Sequence, residues 1–511
     1  MPRALLSVWD KRGVAELARG LAALGWEIVS SGGTAAHLEA EGVDVTRVEE
    51  VTAAPEMLGG RVKTLHPRIH AGILARRDVD DDAETLAEHE IDPIDLVCVN
   101  LYPFASVAGR RGASEQEVVE MIDVGGPSML RAAAKNFAHV AALSAPEQYE
   151  PVLQELREHG EVRAETRRAL ARAAFATTAA YEAAIASWFA ETEAFAEQLV
   201  LAFTKVADLS YGENPHQAAA YYAEAGARRH LLSQVEQLGG KDLSYNNLVD
   251  LEGGRRVLRE FTLPAAVIVK HANPCGVAVA ATIEDAWERA LAADPVSAFG
   301  CVALLNRPVT GALGARIAEH FVEVLHAPAY DEAAVTALRT KKALRILSDG
   351  ERRAETPGER DFRRVLGGLL VQGRDADVQN RETMSVVCGS LTESQWGDLL
   401  FAWRVCKHVS SNAIVIARDL QTVGVGAGQM SRVDAVRIAV EKARAHGHEL
   451  TGAVLASDAF FPFADGPQLA LEAGVSAIAQ PGGSRRDDDV VAAVEAAGAA
   501  MVFTGRRHFR H

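Results

Sequence analysis

The sequence predicts an α/β protein, for three reasons. Near the N-terminus, short apolar runs alternate with amphipathic helical segments, an order typical of β-α-β units with a parallel sheet. Several apolar runs end abruptly in polar loops, as buried strands do where they deliver side chains to a ligand. In the C-terminal part the order strand, helix, strand occurs twice, at 267–305 and at 414–458, which indicates two similar α/β subdomains.

Composition bounds the function. The 511 residues correspond to roughly three to four domain-sized units, and 48% hydrophobic residues supply their cores. A net charge of −16 argues against nucleic acid or a membrane surface as partner, so basic groups matter in local pockets. The five cysteines form no C-x-x-C pattern, which fits a reduced cytosol, and no apolar run in the sequence is long enough to cross a membrane. We therefore expect a cytoplasmic protein, in which local basic pockets can still bind small anions.

The N-terminal part is predicted to form one domain. A helix at 14–24 carries apolar residues at helical spacing between two short apolar runs. Residues 151–195, rich in Ala, Glu and Arg, predict helices that close the domain, so a boundary is expected near 197–203. The predicted strands of its parallel sheet lie at 5–8, 26–29, 96–99 and 140–143.

Polar loops follow these strands. Ser31, Gly33 and Thr34 stand just before a predicted helix, where backbone N–H groups and the helix dipole favour an anion such as phosphate, although a Gly-Gly pair is also a common tight turn. A rigid loop at 59–67 adds cationic side chains. Further candidates, in this loop, at 100–104, at 122–128 and on the next helix, are Arg61, Lys63, Thr64, Tyr102, Asp123 and Lys135.

The most reactive stretch lies at 266–276. Four apolar residues predict a buried strand that ends in Lys270, His271 and Asn273, before a glycine stops it. A solvated Lys-His pair is the simplest interpretation of this end, but further polar loops are predicted to converge on it. These loops lie at 209–217, 240–247, 407–412, 426–429, 457–463 and 506–509.

Two places have part of a metal-site pattern. His66 and His70 have the spacing of two ligands on one helix face, but Pro67 between them interrupts a continuous helix and no third ligand follows closely. We therefore favour a role without metal for this pair.

The second place is 271–275, which resembles the signature of zinc nucleobase deaminases. Asn273 stands where those enzymes have an acid/base Glu, and no second Cys follows Cys275 within three residues. Zinc cannot be held there as in a deaminase. We predict a metal-free site in which Lys270 stabilises charge and His271 moves a proton.

Motifs in a fixed order run through the whole chain, at 10–11, 31–34, 60–67, 100–104, 131–136, 211–217, 270–276 and 457–463. In this order they resemble the AICAR transformylase/IMP cyclohydrolase family of bifunctional purine biosynthesis proteins. The resemblance implies a methylglyoxal-synthase-like domain at 1–198 and an AICAR transformylase domain at 199–511. The latter would comprise two cytidine-deaminase-like α/β subdomains, at about 199–375 and 376–511.

The resemblance also implies the reactions. The C-terminal domain would transfer a formyl group from the co-substrate 10-formyltetrahydrofolate to AICAR, giving FAICAR. The N-terminal domain would then close the ring with loss of water, giving IMP. No metal would be required for catalysis, and the protein would be a homodimer with transformylase sites formed at the interface.

Residue roles follow from the resemblance. In the transformylase, His271 would relay the amine proton, Lys270 would stabilise developing charge and Asn412 would orient the pair. Residues assigned to catalysis of ring closure are Lys63, Tyr102, Asp123 and Lys135. Those assigned to substrate binding are Ser7, Lys11, Ser31, Gly33, Thr34, Arg61 and Thr64 in the first domain, and Tyr211, Gly300, Gln429, Asp458, Phe461, Arg507 and Phe509 in the second.

One position departs from the family pattern. Ser210 stands directly before Tyr211, where the family has an Arg that contacts the AICAR phosphate. Its loss is expected to weaken AICAR binding unless another cation compensates, and Arg507 is the candidate.

Two hypotheses from other classes stay open. The N-terminal domain as a regulatory purine-binding module would not require its four catalytic candidates together. The C-terminal part as a hydrolytic deaminase would need zinc.

Overall fold

The computed structural model describes residues 1–55, 57–110, 112–191, 193–225, 235–350 and 359–511. They group into two compact units, the first mostly within residues 1–204 and the second mostly within 205–511. None of the helices in these ranges combines the length and the apolar character needed to cross a membrane.

The first unit is built on a sheet of parallel strands in the order β3-β2-β1-β4-β5. Its strands are β1 (Arg3–Val8), β2 (Glu27–Ser30), β3 (Thr46–Arg47), β4 (Leu96–Asn100) and β5 (Ala141–Leu143). The strands predicted at 5–8, 26–29, 96–99 and 140–143 are confirmed to within two residues at each end.

Helices cover both faces of this sheet. They are α1 (Val14–Ala23), α2 (Gly32–Ala40), α3 (Val48–Thr52), α4 (Pro67–Leu74), α5 (Asp80–Glu88), α6 (Phe104–Ala108), α7 (Glu115–Val119), α8 (Gly125–Lys135), α9 (Tyr149–His159) and α10 (Ala164–Phe189). One face packs against α1 and α9, and the other against α4, α8 and α10. Ala4, Leu6 and Val8 of β1 lie in the first core and Leu5 lies in the second, so apolar residues are needed on both faces of this strand.

A twelve-stranded mixed sheet lies in the second unit, and the described part of the chain also contains two hairpins. The hairpins are β6 (Phe203–Leu209) with β7 (Ala219–Glu224), and β14 (Arg360–Val365) with β15 (Gly368–Gly373). The sheet strands are β8 (Glu236–Gly239), β9 (Ala265–Lys270), β10 (Asn273–Val279), β11 (Cys301–Leu305), β12 (Val322–Ala327), β13 (Arg345–Ser348), β16 (Ser385–Cys388), β17 (Ile414–Arg418), β18 (Gln421–Gly426), β19 (Val454–Ser457), β20 (Ala477–Gln480) and β21 (Ala500–Phe503).

The strand order of this sheet is β16-β21-β20-β19-β17-β18-β10-β9-β11-β12-β13-β8, so its two halves repeat one pattern. Each half has an antiparallel hairpin followed by parallel strands, and the halves join where β10 pairs with β18. The helices are α11 (Tyr245–Arg259), α12 (Ile283–Ala293), α13 (Gly311–Ala318), α14 (Glu332–Arg339), α15 (Glu393–Cys406), α16 (Arg432–Ala445), α17 (Asp465–Glu472) and α18 (Asp487–Ala496). The predicted internal repeat is confirmed, but its two copies share one continuous sheet.

The equivalent helices α11 and α15 pack in one core on the same face of the sheet. Phe261, just after α11, contacts Phe401 of α15, with ring centroids 5.3 Å apart. Packing in this shared core fixes the positions of the loops at the strand ends of the β9–β10 and β17–β18 hairpins.

Candidate active sites

The first cluster lies at the carboxyl ends of β1, β2 and β4. Ser31 is extended and precedes α2, whose first residue, Gly32, has φ +50°. The Lys63 ammonium lies against this residue, because a Cβ added to Gly32 would stand 2.8 Å from Nζ. Gly33, in the first turn of α2, is exposed. A cation beside exposed helix N–H groups provides a suitable place for an anion.

Lys11 and Thr34 lie together at the end of β1. The buried Thr34 hydroxyl accepts the Val8 N–H at 3.0 Å and the Lys11 Nζ at 3.2 Å. Burial lowers the pKa of Lys11, and the neighbouring Asp10 opposes this shift. Thr34 therefore fixes the Lys11 ammonium, and contact of either residue with a ligand stays a prediction.

Tyr102, Asp123 and Lys63 form one electrostatic group. Burial raises the pKa of Tyr102, the Asp123 charge raises it further and the Lys63 charge lowers it. The Asp123 Oδ1 accepts the Gly126 N–H at 2.8 Å, while burial raises the pKa of the carboxyl. The Asp123 N–H donates to the Tyr181 hydroxyl at 2.8 Å, which fixes the loop. A phenol, a carboxyl and an ammonium thus share one site.

The remaining candidates of this unit differ in their position and exposure. Thr64 lies over the start of α8, since a Cβ added to Gly125 would stand 2.8 Å from its Oγ1. The exposed Arg61 is paired with Glu120, and Ser7 is half-buried in β1. Lys135 is exposed at the other end of α8, about 15 Å along the helix from Gly125. The part of Lys135 in ring closure stays a prediction.

A cleft of ≈ 530 Å³ opens at the same edge of the sheet. Of its residues, Asn100 lies in the predicted polar stretch at 100–104, whereas Trp9 was missed by the sequence analysis. The Asn100 Oδ1 accepts the N–H groups of Trp9 and Asp10 at 2.6 and 2.8 Å, which ties β1 to β4. The Trp9 ring lies 5.1 Å from that of Tyr102. The position of Trp9 directly after a mostly apolar run was a signal available in the sequence. The lining residues are Trp9, Asp10, Lys11, Asn100, Leu101, Pro103, Ser144, Ala145 and Pro146.

The second cluster begins at the β9–β10 hairpin. Lys270 is the last residue of β9, and its Nζ donates to the carbonyls of Phe299 and Gly300 at 3.0 and 2.7 Å. Gly300 has φ +66°, which allows the chain to turn under this ammonium. His271 follows in the turn with an exposed imidazole. A fixed cation therefore lies next to an accessible proton carrier.

Asn412 lies two residues before β17, and both the nitrogen and the oxygen of its side-chain amide are hydrogen-bonded. Its Nδ2 donates to the carbonyls of Gln429 and Met430 at 2.9 and 3.1 Å, and its Oδ1 accepts from Arg432 at 2.7 Å. Arg432 also forms a buried ion pair with Asp458. These bonds leave Asn412 one orientation.

The two halves of the second unit meet at this cluster. The Asn273 Oδ1 accepts the Ser410 N–H at 2.8 Å. Arg510 donates to the Ala272 carbonyl at 2.9 Å, and its own carbonyl accepts the Ser411 N–H at 2.9 Å. The Lys270–His271 loop and the loop that carries Asn412 are therefore neighbours.

Two side chains assigned to substrate binding are buried in the structure, and their binding roles stay predictions. Asp458 is 0% exposed, and its carboxylate is occupied by Arg432 and the Ser411 hydroxyl, so it supports Asn412 from behind. Phe461 is 1% exposed and packs in a core. In the same loop Phe460 and Phe463 are exposed, and these are the rings a ligand can reach. A run of consecutive aromatic residues does not reveal in sequence which ring faces the core.

A second cleft, of ≈ 570 Å³, includes Ser210 and Tyr211. Its Phe321 packs under Gly300, since the Gly300 N–H donates to the Phe321 carbonyl at 2.8 Å, so the cleft adjoins Lys270. Two cations line it: Lys241, which lies in the predicted binding loop at 240–247, and Arg345, which the sequence analysis missed. The lining residues are Ser210, Tyr211, Lys241, Asp242, Phe321, Glu323, Ala343 and Arg345.

The C-terminal tail adds the last candidates. The Arg507 guanidinium stacks over the Phe509 ring at 4.7 Å, and both are exposed. This pair presents a cation and an aromatic face to the outside of the unit.

Cys275 is poorly suited to bind a metal. Its thiol donates to the Ile268 carbonyl at 3.5 Å, and burial raises its pKa above the ordinary range, which disfavours the thiolate. Within the described ranges, no group of three or more His, Cys, Asp or Glu side chains is arranged to hold a metal ion.

Comparison with known proteins gives two family matches and several full-length relatives. The family described as AICARFT/IMPCHase bienzyme matches residues 133–442, and the MGS-like domain matches residues 13–128. Bifunctional purine biosynthesis protein PurH of Sorangium cellulosum is 51% identical over 524 residues, covering 100% of this chain and 99% of the relative. The proteins of the same name from Magnetococcus marinus and Anoxybacillus flavithermus are 49% and 48% identical, with the same coverage.

Proposed function

The chain belongs to the AICARFT/IMPCHase bienzyme family, and from this premise we propose how its residues perform the two reactions. The protein is a bifunctional purine biosynthesis enzyme, with AICAR formyltransferase and IMP cyclohydrolase domains. The observation that carries the residue assignment is the separation of two polar clusters, one in each compact unit. We assign ring closure to the first unit, at about 1–198, and formyl transfer to the second, at about 199–511.

In formyl transfer, the 5-amino nitrogen of AICAR attacks the formyl carbon of 10-formyltetrahydrofolate, and the bond from that carbon to the folate nitrogen breaks. The amine proton passes to the exposed His271 imidazole, which returns it to the folate nitrogen. Lys270, fixed by two carbonyls, stabilises the negative charge that develops on the formyl oxygen. Asn412, held in one orientation, aligns the amine with the formyl group.

In ring closure, the carboxamide nitrogen of FAICAR attacks the formyl carbon, and the formyl oxygen leaves as water. Tyr102, kept protonated by its raised pKa, donates a hydrogen bond to that oxygen. Asp123 takes a proton from the carboxamide nitrogen and passes it to the oxyanion, which Lys63 stabilises. The hydroxyl so formed leaves as water with the proton of the formamido nitrogen, as the C=N bond of the ring forms. Lys135 keeps its predicted role without a contact that supports it.

The two clefts have groups that suit ribonucleotides. In the second unit, Lys241 and Arg345 would bind the AICAR phosphate where Ser210 replaces the family's Arg. Glu323 in the same cleft would accept hydrogen bonds from the ribose hydroxyls. In the first unit, Lys63, Lys11 and the start of α2, with Ser31 and Gly33, would bind the FAICAR phosphate.

The folate is a co-substrate in this proposal, and no metal takes part. Asn273 in place of the deaminase Glu and the protonated Cys275 support a site without zinc. We also propose a homodimer whose interface completes the transformylase sites, in the cytoplasm. Phe460, Arg507 and Phe509 are exposed groups that would contact the folate or AICAR there.

One assay tests the function. Purified protein with AICAR and 10-formyltetrahydrofolate should form IMP, and FAICAR alone should also give IMP. A regulatory N-terminal module would bind FAICAR without closing the ring. A hydrolytic deaminase would release ammonia and lose activity after dialysis against a chelator, whereas we expect unchanged formyl transfer after dialysis.

A further inference from the structure

The turn that carries His271 has an unusual backbone. Lys270 pairs with Asn273, so only His271 and Ala272 lie between β9 and β10. Both residues have positive φ, +53° and +60°. A two-residue hairpin turn of this kind requires positive φ at both positions, and Asn-Gly or Gly-Gly usually supplies it. Histidine and alanine keep such angles only where the surroundings hold them.

Three side chains bond to the main chain of this turn. The Asp250 Oδ1, on α11, accepts the Ala272 N–H at 2.6 Å. The Asn273 Nδ2 donates to the His271 carbonyl at 3.1 Å, and Arg510 donates to the Ala272 carbonyl at 2.9 Å. The turn is therefore fixed by its backbone while the imidazole stays exposed.

Helix α11 comes unusually close to the turn. A Cβ added to Gly253 would stand 3.0 Å from the Ala272 carbonyl oxygen, so a larger residue there would press on the turn. Asp250 lies one helical turn earlier, in reach of the N–H groups. Burial raises the pKa of Asp250, while the Ala272 N–H and the His271 and Lys270 charges lower it.

In the second half of the unit, an equivalent helix carboxylate also bonds to a hairpin turn, but that turn carries no side chain assigned to catalysis. Asp398 is the sixth residue of α15, as Asp250 is of α11. Its carboxylate accepts the N–H groups of Asp419 and Leu420 at 2.9 and 2.7 Å. These residues form the two-residue turn between β17 and β18, with φ +52° and +58°. This turn lies at the opposite end of the strands, about 20 Å along β10 from the His271–Ala272 turn.

We propose that Asp250 is a positioning residue of the formyl-transfer site. Its carboxylate holds the His271–Ala272 turn in the left-handed conformation from which the imidazole reaches the substrate amine. This inference rests on the proposed role of His271. Asp398 is a matched control, because it makes the same kind of bonds to a turn far from the site.

Full-length Asp250→Ala and Asp398→Ala test the proposal, with the double variant Asp250→Ala/Ala272→Gly. In Asp250→Ala we expect kcat for formyl transfer to fall on the order of 10- to 100-fold, with a much smaller change in the KM for AICAR. Glycine takes positive φ without steric cost, so the double variant should regain a large part of kcat. Asp398→Ala should keep the wild-type kcat, and all variants should still close the ring of added FAICAR.

Amide hydrogen exchange measures the turn directly. The Ala272 N–H should exchange faster in Asp250→Ala, and the Leu420 N–H in Asp398→Ala. Slow Ala272 exchange or unchanged kcat in Asp250→Ala would overturn the proposal, as would equal losses of kcat in the two single variants. Absence of formyl transfer by the wild type would instead refute the proposed function, and the exchange rates would still decide whether Asp250 holds the turn.

Discussion

Replacement of Arg345 with Ala should raise the KM for AICAR about tenfold. Arg345 lines the cleft that contains Ser210, and its Nε donates to the Asp242 carbonyl at 3.0 Å, which fixes the guanidinium on the cleft wall. A hydrogen bond to a charged group contributes about 1.5–3 kcal/mol. Because this cleft is open to solvent, we take the lower value, about 1.5 kcal/mol, which corresponds to about tenfold in affinity.

Steady-state kinetics of formyl transfer measure this effect. Lys342→Ala is the matched control, because Lys342 is an exposed cation three residues away that does not line the cleft. Adding Ser210→Arg to Arg345→Ala should lower the KM again by restoring a cation. An unchanged KM in Arg345→Ala, or an equal rise in Lys342→Ala, would refute the assignment of the phosphate to this cleft.

Two further predictions concern single side chains. Phe461→Ala should lower the free energy of unfolding by about 3–5 kcal/mol, because the ring is buried in a core. Phe460→Ala should leave thermal stability unchanged and raise the KM for AICAR or the folate, because this ring is exposed. Equal melting temperatures of the two variants would contradict this prediction. Asp123→Asn should stabilise the protein at neutral pH. The pKa of Asp123 in the folded protein lies above its ordinary 3.8, so the wild type loses stability as the pH rises from 3.8 through the folded pKa. The stability that Asp123→Asn adds should therefore vanish below pH 3.8. Melting temperatures of both proteins from pH 3 to 7 measure the difference, and a variant less stable at neutral pH would contradict it.

Much of the fold follows from periodicity. The strands of the first unit and the repeated strand–helix–strand order of the second are visible because buried strands are short apolar runs. Long-range pairing is not visible in this way. The two halves of the second unit are joined by the pairing of Ala278 with Gln421. This pairing depends on which outer strand of each half meets the other in the folded protein.

The sites were predictable where a reactive side chain ends an apolar run, as Lys270 and His271 do. Sequence could not separate Phe460 from Phe461, because neighbouring aromatic residues differ only in the direction they face. It also missed Arg345, an ordinary strand residue whose position beside Ser210 arises from the pairing of β13 within the sheet. The Asp250 contact depends on the approach of α11 to a turn twenty-two residues later.

The two reactions are assigned to separate clusters, and one paired assay distinguishes the clusters. His271→Ala and Lys63→Ala are each given AICAR with 10-formyltetrahydrofolate, and separately FAICAR. His271→Ala should lose formyl transfer by ~10² or more and still convert FAICAR to IMP, while Lys63→Ala should accumulate FAICAR and form little IMP. Folded His271→Ala that fails to close the ring of added FAICAR, or Lys63→Ala that forms IMP at the wild-type rate, would contradict the account.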